Sequence, residues 1–249
     1  MKAPGTTDFG FERVAAAEKS WRVRRVFDSV AGRYDLMNDL MSLGLHRLWK
    51  RFAVEVSGVR PGGHVLDLAG GTGDCAALYR GRLGKQGRVT VCDINGAMLR
   101  RGRDRLLDAG HAAGFRFVQA DAERLPFAEG VFDCVNIAFG LRNVTDREAA
   151  LGSMLHALRW GGSAIILEFS KVTIPALARL YDRYSFDVIP ALGELVAGDR
   201  DSYRYLVESI RMFPDQDALR AMMQAAGFSR VEYFNLSGGV VAVHRGVRI

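Results

Sequence analysis

The 249-residue sequence holds only three cysteines, Cys75, Cys92 and Cys134, widely spaced and without a Cys-x-x-Cys pair. So sparse and odd-numbered a set makes neither a disulfide framework nor a zinc site; no metal is expected, and a reducing cytoplasm suits the chain best. The three thiols read as small core residues. Long apolar runs are missing too, since nowhere does the chain reach the roughly 18 consecutive apolar residues that a membrane span needs. The opening Met-Lys-Ala-Pro-Gly-Thr-Thr-Asp-Phe-Gly lacks the apolar core and cleavage site of a secretory signal. There is no internal repeat and no low-complexity segment. The expectation is a cytoplasmic protein, peripheral to the inner face of the membrane if it touches one.

What is present is a balanced composition, 49% hydrophobic and 25% charged, enough for one substantial core and a single domain over 1–249. The net charge of +6 suits an anionic partner: nucleic acid, a phosphorylated metabolite or the acidic face of a membrane. Many soluble proteins are as basic, so charge alone separates none of these.

From about residue 63, short apolar runs alternate with amphipathic stretches. His64–Leu68, Arg88–Asp93, Phe115–Gln119, Phe132–Ile137 and Ala164–Glu168 are short, rich in β-branched or aromatic residues and preceded by turn signals. They are predicted to be parallel strands, with helices after Gly73, after Asn95, and from Asp146 to a stop at Gly161-Gly162. A helix over Asp215–Ala226 is followed by two strands, 230–235 and 240–244, joined by Ser-Gly-Gly, which predicts a closing antiparallel hairpin. The predicted fold is therefore α/β, Rossmann-like, with a mostly parallel sheet of seven strands. Two segments exceed what the sheet needs: 1–60, expected to form an N-terminal helical cap, and 170–213, expected to be a substrate-lid insertion.

Directly after the first strand stands Asp67-Leu-Ala-Gly-Gly-Thr-Gly73. Its glycines allow the backbone to turn tightly and approach a ligand at a helix N-terminus. A dinucleotide fingerprint, G-x-G-x-x-G, fails here at Ala69 and Asp74. The form acid-x-x-x-Gly71-x-Gly73 instead resembles the first motif of S-adenosylmethionine-dependent methyltransferases. Asp93 ends the second strand, where a carboxylate can accept hydrogen bonds from ribose hydroxyls, and Asp121-Ala122 follows the third. In a doubly wound sheet these elements converge at the carboxyl ends of the strands. The competing readings are a helix cap for Asp93 and a turn residue for Asp121. Asp67 is expected to order the loop amides.

The stretches Tyr34–Ser42, His46–Arg51, Leu66–Asp74, Phe139–Asp146, Leu167–Lys171 and Asp201–Leu206 resemble the signature blocks of the ubiquinone/menaquinone biosynthesis C-methyltransferase family, and the likeness runs over essentially the whole chain. The resemblance implies S-adenosylmethionine as cofactor and a prenylated quinol as substrate, methylated on a ring carbon: demethylmenaquinol, 2-methoxy-6-polyprenyl-1,4-benzoquinol, or both. It carries cofactor contacts onto Thr72, Asp93, Asp121, Ala122 and position 138. Ala138 departs from the serine of many members, so only its backbone or apolar packing can contribute there.

A neutral aromatic carbon is a poor nucleophile, and a quinol hydroxyl has a phenol-like pKa near about 10, so the site needs a base or a positive environment. Arg142, after the fourth strand, is the candidate phenolate stabiliser, with Asn143 to orient a quinol oxygen. The alternative for Arg142 is a structural ion pair with a carboxylate such as Asp146. Tyr34, Asp35, Asp39 and Tyr203 are candidates for closing the site and taking the proton, whereas His46 reads as a polar helix residue. In 174–196, Ile174, Leu177, Leu180, Tyr181, Tyr184, Phe186, Val188, Ile189, Leu192 and Leu195 suggest a tail groove or, equally, a helix packed on the core. Arg22, Arg24, Arg25, Arg33, Arg47, Lys50 and Arg51, with Trp49 and Phe52, offer a basic aromatic surface for anionic lipids or a plain solvated face. Docking to other quinone-biosynthesis enzymes and a homo-oligomer are also open.

Four rival readings compete with this one. A methyltransferase for another small acceptor shares the cofactor motif. A nucleic-acid methyltransferase directed at amino groups usually carries Asn/Asp-Pro-Pro-Tyr after the fourth strand, where Asn136-Ile-Ala-Phe139 stands here, so no nucleic-acid partner is expected. A catalytically silent scaffold has no need of the loop, Asp93 and Arg142 together. A nicotinamide enzyme is disfavoured by the broken glycine fingerprint.

Overall fold

The computed structural model describes residues 5–30, 38–39, 42–111, 113–197 and 199–249. The chain opens with β1 (Thr6–Phe9) and β2 (Glu12–Ala15), an antiparallel hairpin turning at Gly10, whose φ is +59°. The N-terminal helical cap expected over 1–60 is thus preceded by a hairpin that the sequence reading did not include, because the Thr-Thr-Asp-Phe and Glu-Arg-Val-Ala runs pair with each other. Only then come α1 (Ala16–Val30) and α2 (His46–Val56).

The Rossmann-like core follows as β3 (His64–Leu68), α3 (Asp74–Leu83), β4 (Arg88–Asp93), α4 (Gly96–Asp108), β5 (Phe115–Gln119), β6 (Phe132–Ala138), α5 (Arg147–Ala157) and β7 (Leu158–Phe169). The first three of these strands have the bounds read from the sequence. The helix expected to run to Gly161-Gly162 ends at Ala157, because Leu158 turns extended and pairs with Phe132. Those glycines lie instead within β7 at a register irregularity, where Gly161 takes φ +76°. They serve a bulge, not a helix stop.

The helical insertion comprises α6 (Pro175–Arg183), a wide π-type turn over Tyr184–Val188, α7 (Ile189–Ala197) and α8 (Arg200–Arg211). The chain closes with α9 (Gln216–Ala225), β8 (Ser229–Leu236) and β9 (Val241–Val247). Strand order in the seven-stranded sheet is β5-β4-β3-β6-β7-β9-β8. Strands β3 to β7 are parallel, and β9 is antiparallel to both its neighbours.

Strand alternation builds two cores. Val65, Val91, Cys134 and Ile165 face Trp49, Ala53, Tyr79 and Leu106 of α2, α3 and α4. Leu66, Cys92, Val135 and Ile166 face Leu151 and Met154 of α5 and Leu219 and Met223 of α9. A sheet buried on both faces explains the nearly unbroken apolar strands. All three cysteines are buried and free, and burial lifts the thiols of Cys92 and Cys134 to about 12, so they act as packing groups.

The insertion is in part ordinary core. Tyr203, Leu206 and Val207 of α8 are buried, and Gly193 is so close to the Tyr203 ring that a Cβ there would lie 2.4 Å from Cγ. On α8, Tyr205 stacks with Phe9 at 4.1 Å, which seats the N-terminal hairpin. Ile174, Phe186 and Val188 stay exposed, while the side chains of Leu180, Leu192 and Leu195 lie outside what is described.

Two helix glycines are expected to respond to alanine in opposite directions. Gly152 in α5 has open space about it, so Gly152→Ala should stabilise by about 0.5–1 kcal/mol through reduced backbone entropy. A Cβ on Gly102 in α4 would sit 2.4 Å from the Gly71 carbonyl oxygen, so Gly102→Ala should destabilise the protein and loosen cofactor binding. Denaturant melts of the two variants, with cofactor titration of the second, check the pair.

Candidate active site

The parallel strands end side by side, and the chain leaves two of them under backbone strain: Ala69 after β3 and Phe139 after β6 have φ of +48° and +57°. Such non-glycine conformations persist where surrounding structure holds them, and they concentrate at functional sites. Between them Gly70 carries no Cβ because one would lie 2.6 Å from Val91 Cγ1. Gly73, at φ +83°, caps α3 against Leu106.

The loop is tied down by Asp93. Its Oδ2 accepts the Gly71 amide at 3.0 Å, and its Oδ1 accepts the Asn95 amide at 2.8 Å. Asn95 in turn caps α4 by accepting from Ala97 and Met98. Burial raises the Asp93 carboxyl, and the amides of Asn95 and Gly71 oppose that rise. Asp121 accepts the Glu123 amide at 3.0 Å, which shapes the turn after β5.

These ends border a cleft of roughly 890 Å³, counting its open mouth, with Gly71, Asp93, Asp121, Ala122 and Asn143 in its wall. Its roof is α1, through Ser20, Val23, Arg24 and Phe27, a stripe at i, i+3, i+4 and i+7. Lys19 Nζ donates to the Val144 carbonyl at 3.0 Å, and Asn95 donates to Asp28 at 2.8 Å, so α1 is pinned at both ends. No described residue of 174–196 borders the cleft. Sequence reasoning did not assign this roof, because the stripe marks an amphipathic helix but not the surface that the helix covers.

A smaller cavity of about 320 Å³ adjoins the cleft, sharing Ala69 and Phe139, and is lined by Lys50, Asp67, Thr72, Asp74 and Ala138. Asp67 is buried; its Oδ1 accepts Asn136 Nδ2 at 2.6 Å, and the Tyr79 hydroxyl donates to Asn136 Oδ1 at 3.3 Å. Its Oδ2 is buried with no hydrogen-bond partner among the described residues. Burial pushes this carboxyl up to about 7, against the Asn136 amide and the charge of Lys50. Lys50, nearly buried, donates to Asp74 at 2.7 Å. Burial alone would raise Asp74, but Lys50 and Arg105 hold it below its ordinary value.

Arg142 is buried and lies behind the cleft wall. Its Nη1 donates to the Phe139 carbonyl at 2.6 Å and to Glu168 Oε1 at 2.9 Å. Its partner is thus Glu168 of β7, whereas Asp146, the carboxylate suggested by the sequence, caps α5 at the Ala149 amide. Asn143 does reach the cleft, and its Oδ1 accepts the Tyr205 hydroxyl at 3.1 Å. Tyr34 and Asp35 lie outside the described residues, as does Arg33. Asp39 bonds His46 and Arg47, His46 is a buried polar helix residue, and Tyr203 belongs to the core. Among the described residues no cluster of three or more His, Cys, Asp or Glu side chains is arranged to hold a metal.

A mostly parallel sheet closed by an inserted antiparallel strand, with a glycine loop after β3 and an aspartate ending β4, defines a Rossmann-like S-adenosylmethionine-dependent methyltransferase. The solved structures agree on the fold. A SAM-dependent methyltransferase from Aquifex aeolicus matches with a TM-score of 0.64 at 13% identity, over 86% of this chain and 98% of that one. Phosphoethanolamine N-methyltransferase 2 from Haemonchus contortus matches at 0.57 and 14% identity, over 80% of this chain and 52% of its own. Residues 15–248 match the ubiE/COQ5 methyltransferase family, and the chain belongs to it. The ubiquinone/menaquinone biosynthesis C-methyltransferase UbiE of Methylococcus capsulatus is 60% identical over 243 residues, 98% of each chain. That of Edwardsiella ictaluri is 57% identical over 247 residues, 99% of this chain and 98% of its own.

S-adenosylmethionine is the cofactor of this class, and the residues fit it: an unmet buried carboxylate oxygen, a backbone cradle without side chains at Gly70 and Gly71, and an aspartate beyond the loop.

Two stability tests follow from the buried charges. Folded Asp67 holds its proton to about pH 7, against an ordinary value of 3.8, so the native state binds more protons in between and stability falls as pH rises through that window. Asp67→Asn should flatten this slope in urea melts taken from pH 4 to 8, and an unchanged slope would show that Asp67 ionises freely. Glu168→Ala leaves Arg142 buried and uncompensated, and should cost about 3–5 kcal/mol in the same melts.

Proposed function

We propose that this enzyme transfers the methyl group of S-adenosylmethionine to a ring carbon of a prenylated quinol, demethylmenaquinol or 2-methoxy-6-polyprenyl-1,4-benzoquinol or both, in menaquinone and ubiquinone biosynthesis. The observation that carries this reading is the end-to-end match to UbiE enzymes at 57–60% identity, together with a cleft that fits the cofactor. Bound S-adenosylmethionine supplies an electrophilic methyl group on a sulfonium. What the protein must add is alignment, exclusion of water and a more nucleophilic ring.

Each candidate contact has a part to play. Asp93 accepts from the ribose hydroxyls, since a carboxylate offers about four acceptor sites and two are engaged by Gly71 and Asn95. Asp121 and Ala122 edge the base. Asp67 Oδ2 accepts from the ammonium of the methionine end, Lys50 supplies positive charge for its carboxylate, and Thr72 and Ala138 complete that cavity. Gly71 and Gly73 shape the loop. On the acceptor side, Asn143 orients a quinol oxygen. Arg142, with its charge met by Glu168, is assigned to positioning: it ties the Phe139 carbonyl to β7 and so sets the turn that carries Asn143. Tyr34 is retained as a candidate quinol contact.

The isoprenoid tail of such a substrate resides in a bilayer, so peripheral contact with the membrane surface belongs to the proposal. Among the described residues no helix is long and apolar enough to cross one. The exposed Ile174, Phe186 and Val188 of the insertion offer apolar surface for the tail.

The test is incubation with methyl-labelled S-adenosylmethionine and each chemically reduced, short-tailed quinol. Label is expected on a ring carbon. Asp93→Ala should abolish cofactor binding, and Asn143→Ala should lower kcat/KM by about tenfold, the worth of one hydrogen bond, with cofactor affinity kept. Cofactor binding without label on either quinol would refute the acceptor, and absence of cofactor binding would refute the site.

A further inference from the structure

Outside the cofactor site, a third cavity of about 560 Å³ opens between α2, α3 and α4, lined by His46, Arg47, Lys50, Arg51 and Arg105 with Asp74 and Leu78. Lys50 and Arg105 share Asp74, at 2.7 and 2.8 Å, and Arg47 reaches Asp39 at 2.8 Å. Among the described residues that line the cavity, four permanent cations stand beside one carboxylate, Asp74. The local field registers on His46, which burial and the charges of Lys50 and Arg47 hold below its ordinary pKa despite Asp39.

The surface beside this cavity is apolar. Leu43, Leu45 and Leu48 are 74, 38 and 57% exposed, a concentration of leucine in water that packing does not require. Leu48 falls between Arg47 and Arg51 on the outward side of α2, while Trp49, Ala53 and Val54 turn into the core. Basic side chains interleaved with exposed leucines on one helix and its preceding turn are the chemistry of a bilayer interface: cations for lipid phosphates, leucines for the acyl boundary.

We propose that this basic cavity seats the phosphate of an anionic phospholipid while Leu43, Leu45 and Leu48 enter the bilayer surface. The assignment rests on the peripheral membrane contact proposed above and gives it a location. A soluble phosphate ester matches the cations but leaves the leucines without a function, so the lipid is the better occupant. Lys50 and Asp74 also line the smaller cavity of the cofactor site, so a membrane seated here lies alongside the cleft that a tail-bearing quinol must reach.

The test is sedimentation of the full chain with vesicles of phosphatidylcholine alone and of phosphatidylcholine mixed with phosphatidylglycerol. The wild type should bind the anionic vesicles more strongly, and binding should weaken as salt is raised. Arg47→Glu with Arg51→Glu should lower that partitioning by about tenfold or more, and Arg51→Glu alone by less. Leu43→Ser with Leu48→Ser should weaken binding to both vesicle types, while Arg230→Glu, on the exposed start of β8, should not. Melting temperature and cofactor affinity, unchanged in these variants, keep misfolding apart from lost contact. A wild type that ignores anionic vesicles would overturn the peripheral reading itself. Wild-type binding matched by both double variants would overturn only this location, and glycerol phosphate that binds in the cavity without any vesicle binding would reassign it to a soluble ligand.

Discussion

The hydrogen bond from the Gly71 amide to Asp93 is the contact on which the site depends. It ties the turn after β3 to the end of β4, and the other oxygen of the same carboxylate holds the Asn95 amide at the start of α4. Loop, strand end and helix therefore move as one unit. α4 is packed so closely on the loop that only glycine fits at position 102. The cradle is shaped by the protein before any ligand arrives, and the binding energy of a cofactor need not be spent on ordering it.

Around this unit the fold accepts several polar groups that are wholly or partly buried. Tyr79, Asn136 and Asp67 form a donor-to-acceptor relay that ends on Asp67 Oδ1, while Oδ2 of the same carboxyl has no partner among the described residues. Arg142 and Glu168 join the turn after β6 to β7. Lys50, Arg105 and Asp74 join α2, α4 and α3. A buried ion pair adds little net stability over an apolar contact of similar size, but breaking one is costly, so such groups specify geometry more than they strengthen the fold. Here they set where the site walls stand relative to one another.

The sheet was legible because its central strands are apolar runs buried on both faces, and its strands are short and bounded by glycine or a polar turn. Hence β3, β4 and β5 could be bounded to the residue. The N-terminal hairpin was missed because its four-residue strands are too short for periodicity to register, and it is held by Phe9 against Tyr205, a contact nearly two hundred positions away in the chain. Gly161-Gly162 read as a helix stop because glycine signals both helix ends and bulges, and only the pairing of Leu158 with Phe132 decides between them. The roof over the cleft depended on α1 packing across the strand ends, and the partner of Arg142 on β7 pairing beside β6, neither of which local pattern encodes.

The sequence by itself determined the fold class, the glycine loop with Asp93 and Asp121 at successive strand ends, and the likeness to one methyltransferase family. Those features are local: strand periodicity, turn chemistry and motif spacing are written in consecutive residues. Tertiary structure alone decided that β9 slips between β7 and β8, that α1 covers the cleft, that Asp67 keeps its proton to about 7 and that Glu168 neutralises Arg142. Each of these depends on burial or on a long-range partner, and both the dielectric around a charge and the identity of its neighbour arise only once distant segments have packed.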